Sequence, residues 1–216
     1  MLAVDLHTHS IASPDGSLTV DHYRRMLTTK HLDYIAITDH NRIDIAQQIQ
    51  ATLGSQIIIG EEITAVEGEV IGLFLREVVP KGLPLAETVR QIHAQGGLVY
   101  LPHPFETARK GVSAAALAPL VDQIDIVETH NGRAVFQNKS RQAETWATAN
   151  NKPGAASSDA HGWHGWGKTY SMIDRTPTPE TLASSLRAAQ YRVRGPGLRG
   201  MLYPKYNRLR KMFTHV

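Results

Sequence analysis

The chain has 216 residues, 42% of them hydrophobic and 20% charged, which is the balance of a folded domain and excludes a disordered or fibrous one. It has no cysteine, so a disulfide framework and a thiolate metal site are both excluded, and any metal must be held by nitrogen and oxygen donors. The net charge of +3 is uneven: Arg192, Arg194, Arg199, Lys205, Arg208, Arg210 and Lys211 put seven cations and no acid in the last stretch, while the rest carries 16 basic against 20 acidic residues.

The start, Met1-Leu2-Ala3-Val4-Asp5, has no basic stretch leading into a long apolar run, and no segment reaches the roughly 18 apolar residues of a membrane span. The expected location is cytoplasmic. Short apolar runs then alternate with helical patterns. Strands are expected at residues 2–6, 34–37, 56–60, 70–75, 98–101, 124–127, 154–156 and 170–173. Between them, Thr19 can cap a helix reaching residue 28. Residues 42–53 show Ile43, Ala46, Ile49 and Leu53 at three- and four-residue steps. Residues 86–95 stop at Gly96-Gly97, and 113–121 and 135–150 follow. Thr178-Pro179-Glu180 opens another helix. This alternation predicts a single α/β domain with a mainly parallel sheet, open or closed into a barrel.

The segment after Gly195-Pro196-Gly197 breaks that rhythm. Leu202, Tyr206, Leu209 and Phe213 recur at three- and four-residue steps with Arg208, Arg210 and Lys211 between them, which predicts a basic amphipathic helix. Docking on the main body is its ordinary role. Contact with acidic lipid, or with nucleic acid as a partner, is the alternative.

Parallel α/β folds place their chemistry at the carboxyl ends of the strands. At those exits the chain carries His7, His9 and Asp15; Asp39-His40; Glu61-Glu62; His103; Glu128-Thr129-His130-Asn131; and Asp159-Ala160-His161. Alone, His7-Thr8-His9 reads as two surface histidines. A second two-residue pair at Asp159 and His161, and a donor at almost every exit, turn the reading to a metal cluster of imidazoles and carboxylates suited to Zn, Mn or Fe. His22, His31, His93 and His215 read as ordinary helix or tail histidines, and His164 stays open.

The motifs Asp5-Leu6-His7-Thr8-His9-Ser10, Ile37-Thr38-Asp39-His40-Asn41, Gly60-Glu61-Glu62, His103-Pro104-Phe105 and Ser158-Asp159-Ala160-His161 resemble, in content and order, the PHP (polymerase and histidinol phosphatase) family of metal-dependent phosphoesterases. The resemblance implies a distorted (β/α)7 barrel over residues 1–191, with 192–216 as the basic tail, and two or three divalent ions. It implies that one ion takes His7, His9, the bridging Glu62 and Asp159. A second shares Glu62 and takes His103. A third takes His40 and His161, with Asp15. Glu69 stands where many members have a histidine ligand of the second ion, and its carboxylate would favour a harder ion such as Mn.

The implied reaction is hydrolysis of a small phosphate ester by a metal-bound hydroxide, with His40, His161 or His130 as candidate acid wherever it is not ligating. Arg133 and Asn131, then Arg109 and Lys110, are the candidate substrate-binding residues, guanidinium being suited to phosphate oxygens. A nucleotide is among the candidate substrates. The alternative is a non-catalytic metal-containing module that binds nucleic acid or a protein partner. Hydrolysis of a C–N or C–O bond is a further rival, but the related metal barrels that do so often bridge with a carbamylated lysine where this chain has Gly60-Glu61-Glu62.

Overall fold

The computed structural model describes residues 1–134 and 137–213, so the first residues of the helix expected at 135–150, and His215, lie outside the described residues. The apolar runs Tyr34–Ile37 and Leu98–Leu101 have nearly every side chain covered, as strands packed on both faces require. In chain order the elements are β1 (Leu2–Asp5), α1 (Val20–Thr28), β2 (Tyr34–Ile37), α2 (Asp44–Leu53), β3 (Ile57–Thr64), β4 (Glu69–Leu73), α3 (Leu85–Ala94) and β5 (Leu98–Leu101). Then follow α4 (Ala114–Leu117), β6 (Ile126–Asn131), α5 (Ser140–Ala149), β7 (Gly154–Ser157), β8 (Tyr170–Ile173), α6 (Leu182–Leu186), β9 (Gln190–Arg192) and α7 (Gly197–Phe213). Pro119 lacks the N–H an α-helix needs in its interior, and the helix expected at 113–121 breaks there into α4 and a 3₁₀ stretch, Ala118–Gln123.

The nine strands form one mixed sheet in the order β7-β6-β5-β4-β3-β2-β1-β8-β9, curled into a nearly closed barrel. The pairs β1–β2, β2–β3, β5–β6 and β6–β7 are parallel. A tight hairpin makes β4 antiparallel to both neighbours, which places its first residue, Glu69, opposite Thr64 at the same end as the exits of the parallel strands. One apolar cluster takes a side chain from each of β1–β8, including Val4, Ala36, Ile58, Ile71, Tyr100, Ile126, Ala155 and Ile173, and Leu182 and Leu186 of α6 pack against it.

Closure uses a backbone bridge at the exit end and side-chain bonds deeper down. At the exit end, Thr8 and Ala160 form a parallel bridge, with His9 N–H donating to Ala160 O at 2.8 Å. Deeper down, the Ser171 hydroxyl of β8 accepts from Ala156 N at 2.8 Å and donates to Ala156 O at 3.0 Å, so one side chain replaces a strand ladder between β7 and β8.

β3 runs further than expected and carries Glu61 and Glu62 inside the strand. Strand alternation sends them to opposite faces. Glu61 lies on the face of Ile63, toward the apolar layer, where its Oε2 accepts from Val79 N at 2.9 Å and its Oε1 has no partner. Burial raises its pKa from 4.5 to about 7. A carboxyl group with a raised folded pKa stabilises fully below its unfolded value and loses that contribution as pH rises through the folded one. Glu61→Gln, which keeps the acceptor for Val79, is therefore expected to be more stable than wild type by about 1–2 kcal/mol at pH 8, with the gap closing below about pH 5. Urea unfolding at the two pH values measures this, and a gap independent of pH would contradict it.

Candidate metal centre

β1 ends at Asp5, and the extended chain beyond it puts His7 and His9 on the same side, two residues apart. Both are fully buried. Their Nε2 atoms face each other at 3.1 Å. Around that pair stand Glu62 Oε2, 3.5 Å from His7 and 3.4 Å from His9, and Asp159 Oδ1, 3.6 and 3.4 Å away. Donors bound to one small divalent ion at about 2.0–2.2 Å stand about 3.0–3.6 Å from one another. The two histidine nitrogens have that spacing from each other and from each of the two carboxylate oxygens. Among the described residues, three groups each hold donor atoms within 4.8 Å of one another: His7, His9 and Asp159; His7, Glu62 and His103; and His9, Asp15, His40 and His161.

Glu62 joins the groups. Its Oε1 is 3.1 Å from His103 Nε2, and its Oε2 is 3.2 Å from His40 Nδ1. Asp15 spans the other side, 3.6 Å from His40 Nε2 and 3.5 Å from His161 Nε2. Asp39 does not hold the His40 ring. It accepts instead from the Ser10 backbone N–H at 2.7 Å and the Ser10 hydroxyl at 2.5 Å, fixing the loop after His9. Asp159 and His103 both take positive φ, 52° and 30°, a backbone strain at residues that face the cluster.

The chemistry of the donor set fits a divalent cation. His7 Nδ1 is 3.0 Å from Glu128 Oε1, which sets the proton there and turns the Nε2 lone pair inward. Burial opposes ionising Glu62 and Asp159, yet His40 and His7 around the first, and Arg133 and His7 around the second, hold both well below the usual carboxylate range. Burial lowers the His161 pKa to about 3, helped by His9 and Arg133, so this ring offers a lone pair and not a proton at neutral pH. Burial alone would also lower His40, but Glu62 and Asp15 raise it to about 9.

Glu69 sits at the rim. It is buried at the start of β4, 4.0 Å from His40 Nδ1 and 3.9 Å from Lys110 Nζ, and outside the three donor groups. Burial, and then the charge of Glu62, raise its pKa to about 8.

The candidate substrate residues divide. Arg109 donates to Asp159 Oδ2 and Asn131 Oδ1, both at 2.7 Å, and to Glu106 Oε2. Asn131 accepts from Arg109 and from Arg133 N, and donates to Glu128 Oε2 at 2.8 Å. Both therefore hold the walls of the cluster in place. Arg133 reaches Asp159 at 3.2 Å and keeps a buried Nε without a partner among the described residues. His130 is not brought to the cluster. A register shift in β6 between Glu128 and His130 turns its ring outward, where Nε2 meets Glu144 of α5 at 3.2 Å. The hollow that His130 lines, about 630 Å³, has Glu144 as its one acid and no convergent donor set.

The cluster opens into a cavity of about 300 Å³ lined by Asp15, His40, Glu62, Glu69, His103, Asp159 and His161, and by the cations Arg109, Lys110, Arg133, Lys205 and Arg208. The last two come from α7. That helix lies across the mouth: Asn207 Nδ2 donates to Asp15 O at 2.7 Å and His161 O at 2.9 Å, and Arg208 Nη2 reaches Asp15 Oδ2 at 2.5 Å. A side chain at Gly162 would strike the Tyr203 ring at 2.7 Å, so glycine there lets the helix close. His164 stacks on Tyr203, 6.0 Å between centroids, and takes no part in the cluster.

Four contributors were given no site role from the sequence. Glu128, named there only among the donors at the strand exits, orients His7. Asp5 accepts from Ser158 N and Oγ and from Trp166 Nε1, tying β1 to the Asp159 loop. Lys205 and Arg208 reach the cavity from a tail whose position no local pattern encodes. Only Asp5 and Glu128 left a signal, as acids in otherwise apolar strand runs.

Comparison with known proteins places these motifs in a wider group. Residues 5–152 match the family model described as PHP domain, and residues 137–191 match one described as PHP-associated. Protein MJ1587 of Methanocaldococcus jannaschii is 32% identical over 63% of this chain and 88% of its own length. MJ0417 of the same organism is 35% identical over 74% of this chain, which spans 65% of that relative. Among solved structures, a two-domain protein from Bacteroides vulgatus, described as containing a predicted PHP-like metal-dependent phosphoesterase, superposes with a TM-score of 0.69 at 21% identity, covering 89% of this chain and 64% of that one.

Outer carboxylate partners of ligating histidines typically change metal affinity about 10–100-fold. Glu128→Gln, which keeps the shape but weakens the hold on His7 Nδ1, is expected to reduce Mn or Zn affinity by about that factor in a calorimetric titration. Unchanged affinity would separate His7 from metal binding.

Proposed function

Because the chain belongs to the PHP domain family, we propose that it is a metal-dependent phosphoesterase that hydrolyses a small phosphate ester, with a nucleotide among the candidate substrates. The observation that carries this reading is the set His7, His9, Glu62 and Asp159, in which the two imidazoles stand 3.1–3.6 Å from each other and from each carboxylate, opening into a cavity lined by five cations. Two or three ions (Mn, Zn or Fe) would be held by His7, His9, Glu62 and Asp159; by Glu62 and His103, with Glu69 near; and by Asp15, His40 and His161. When bound, such ions supply Lewis acidity toward phosphoryl oxygens and lower the pKa of water for in-line attack.

The chain's own residues do the rest. Lys110, Arg133, Lys205 and Arg208 meet the anionic oxygens of the ester and orient it, guanidinium by two parallel hydrogen bonds where geometry allows. Arg109 and Asn131 act as positioning residues, since their polar atoms are engaged by Asp159, Glu106 and Glu128. His40, on the exposed side of the ring with its pKa raised to about 9, is the imidazole best placed to give a proton to a departing oxygen where it is not ligating. His161 is unsuited to that role by its depressed pKa, and His130 by its position. The completeness of the donor set argues against the non-catalytic module.

Phosphate release should be screened over nucleotides, bisnucleotides, histidinol phosphate and short RNA after loading with Mn, Zn or Fe. Turnover of at least one class is expected, with His9→Ala lower by at least about 100-fold. No phosphate released under any loading would overturn the proposal. On the best substrate, Lys205→Ala is expected to raise KM about three- to tenfold with kcat within about twofold, as loss of uniform binding requires. An unchanged KM would remove Lys205 from the substrate site.

A further inference from the structure

We propose that the outward face of α7 is a docking surface for an anionic lipid bilayer. The expected apolar stripe of this helix does form, but it points away from the barrel. Gly200, Pro204 and Asn207 are the buried positions, while Leu198, Leu202, Tyr206, Leu209, Met212 and Phe213 are 51–79% exposed. At 3.6 residues per turn, Leu198, Leu202, Tyr206, Leu209 and Phe213 fall within an arc of about 80°. Arg199 and Arg210 border that arc on one side and Lys205 on the other, while Arg208, about 80° beyond it, turns into the cavity toward Asp15.

An apolar strip with cations along both edges and no acid between residues 192 and 216 has the form of a helix lying in a bilayer interface. Its apolar side chains enter the acyl boundary, and the cations spread to meet lipid phosphates. The charges also select against other occupants. A two-fold contact between copies of this helix would set like charges along both edges with no acid in the segment to pair them. Nucleic acid would account for the cations but leave the Leu and Phe side chains without a partner. The helix is held rigidly for such a role. Asn207 bonds two backbone carbonyls of the barrel, and Lys211 Nζ reaches Ile11 O at 2.6 Å, Ser13 O at 2.5 Å and Gly16 O at 2.9 Å. Among the described residues no helix is long and apolar enough to cross a membrane, so the contact is peripheral.

The proposal stands apart from the reaction at the cluster, and its test does not need one. The full chain is floated with vesicles of phosphatidylcholine alone, or with about 30% phosphatidylserine added. The expected result is at least about tenfold stronger partition onto the anionic vesicles, weakened by salt. Leu202→Ser with Leu209→Ser, both remote from the cavity, should lower that partition at least about tenfold while circular dichroism and Tm stay unchanged. Arg199→Gln should lower the preference for anionic vesicles. Equal partition onto both vesicle types, or none, would overturn the proposal. So would a double variant that binds like wild type, a dimer in solution that the double variant dissolves, or binding confined to short single-stranded RNA.

Discussion

Five imidazoles and three carboxylates crowd one largely buried pocket, and everything around it serves to make that arrangement bearable. Taking a single carboxylate out of water costs several kcal/mol, and only close opposite charge or a cation offsets it. Glu62 is the clearest case: fully enclosed, it stays ionised because His7, His40 and His103 surround it. A further layer fixes those partners. Glu128 holds His7, Asn131 holds Glu128, and Arg109 ties Asn131 to Asp159. The left-handed backbone is held at Asp159 by Arg109 and Arg133 on its carboxylate, and at His103 by its N–H donating to Glu128 Oε2 at 2.6 Å and its Nε2 meeting Glu62.

Much of this was legible in the sequence, for a physical reason. The strands of the barrel are short apolar runs, and a buried imidazole or carboxylate at the end of such a run has no cheap explanation other than a partner across the mouth. His7, His9, Asp15, Glu62, His103, Asp159 and His161 all read this way, and the barrel brings them together. What could not be read depends on tertiary register. The choice between Glu61 and Glu62 rested on a family motif, whereas the strand decides it by alternation, sending one to Val79 and the other to the histidines. His130 looked equivalent to its neighbours until the register shift in β6 turned it toward Glu144. The hairpin that reverses β4 was hidden as well, because an apolar run does not disclose its direction.

The tail shows a sharper limit of pattern reading. Its periodicity identified a helix correctly but said nothing about which face would meet the barrel. Apolar spacing would normally assign the buried side, yet small and polar groups do the docking, because the surface they meet offers backbone carbonyls at Asp15 and His161. A single helix thus presents cations to the cavity on one flank and an apolar strip to the outside.

The bridge between Thr8 and Ala160 joins the segments that follow β1 and β7, and donors flank it on both sides: His7 and His9 on one segment, Asp159 and His161 on the other. The line along which the barrel would split therefore runs through the donor ring itself. Below it the seam is held by side chains instead of a strand ladder: Asp5 with Ser158, Ser171 with Ala156, and Tyr191 with Gly154. A cation shared by those segments would act as a clasp, so the rate at which it escapes and the rate at which amide protons of β1 and β7 exchange with solvent would report the same opening motion.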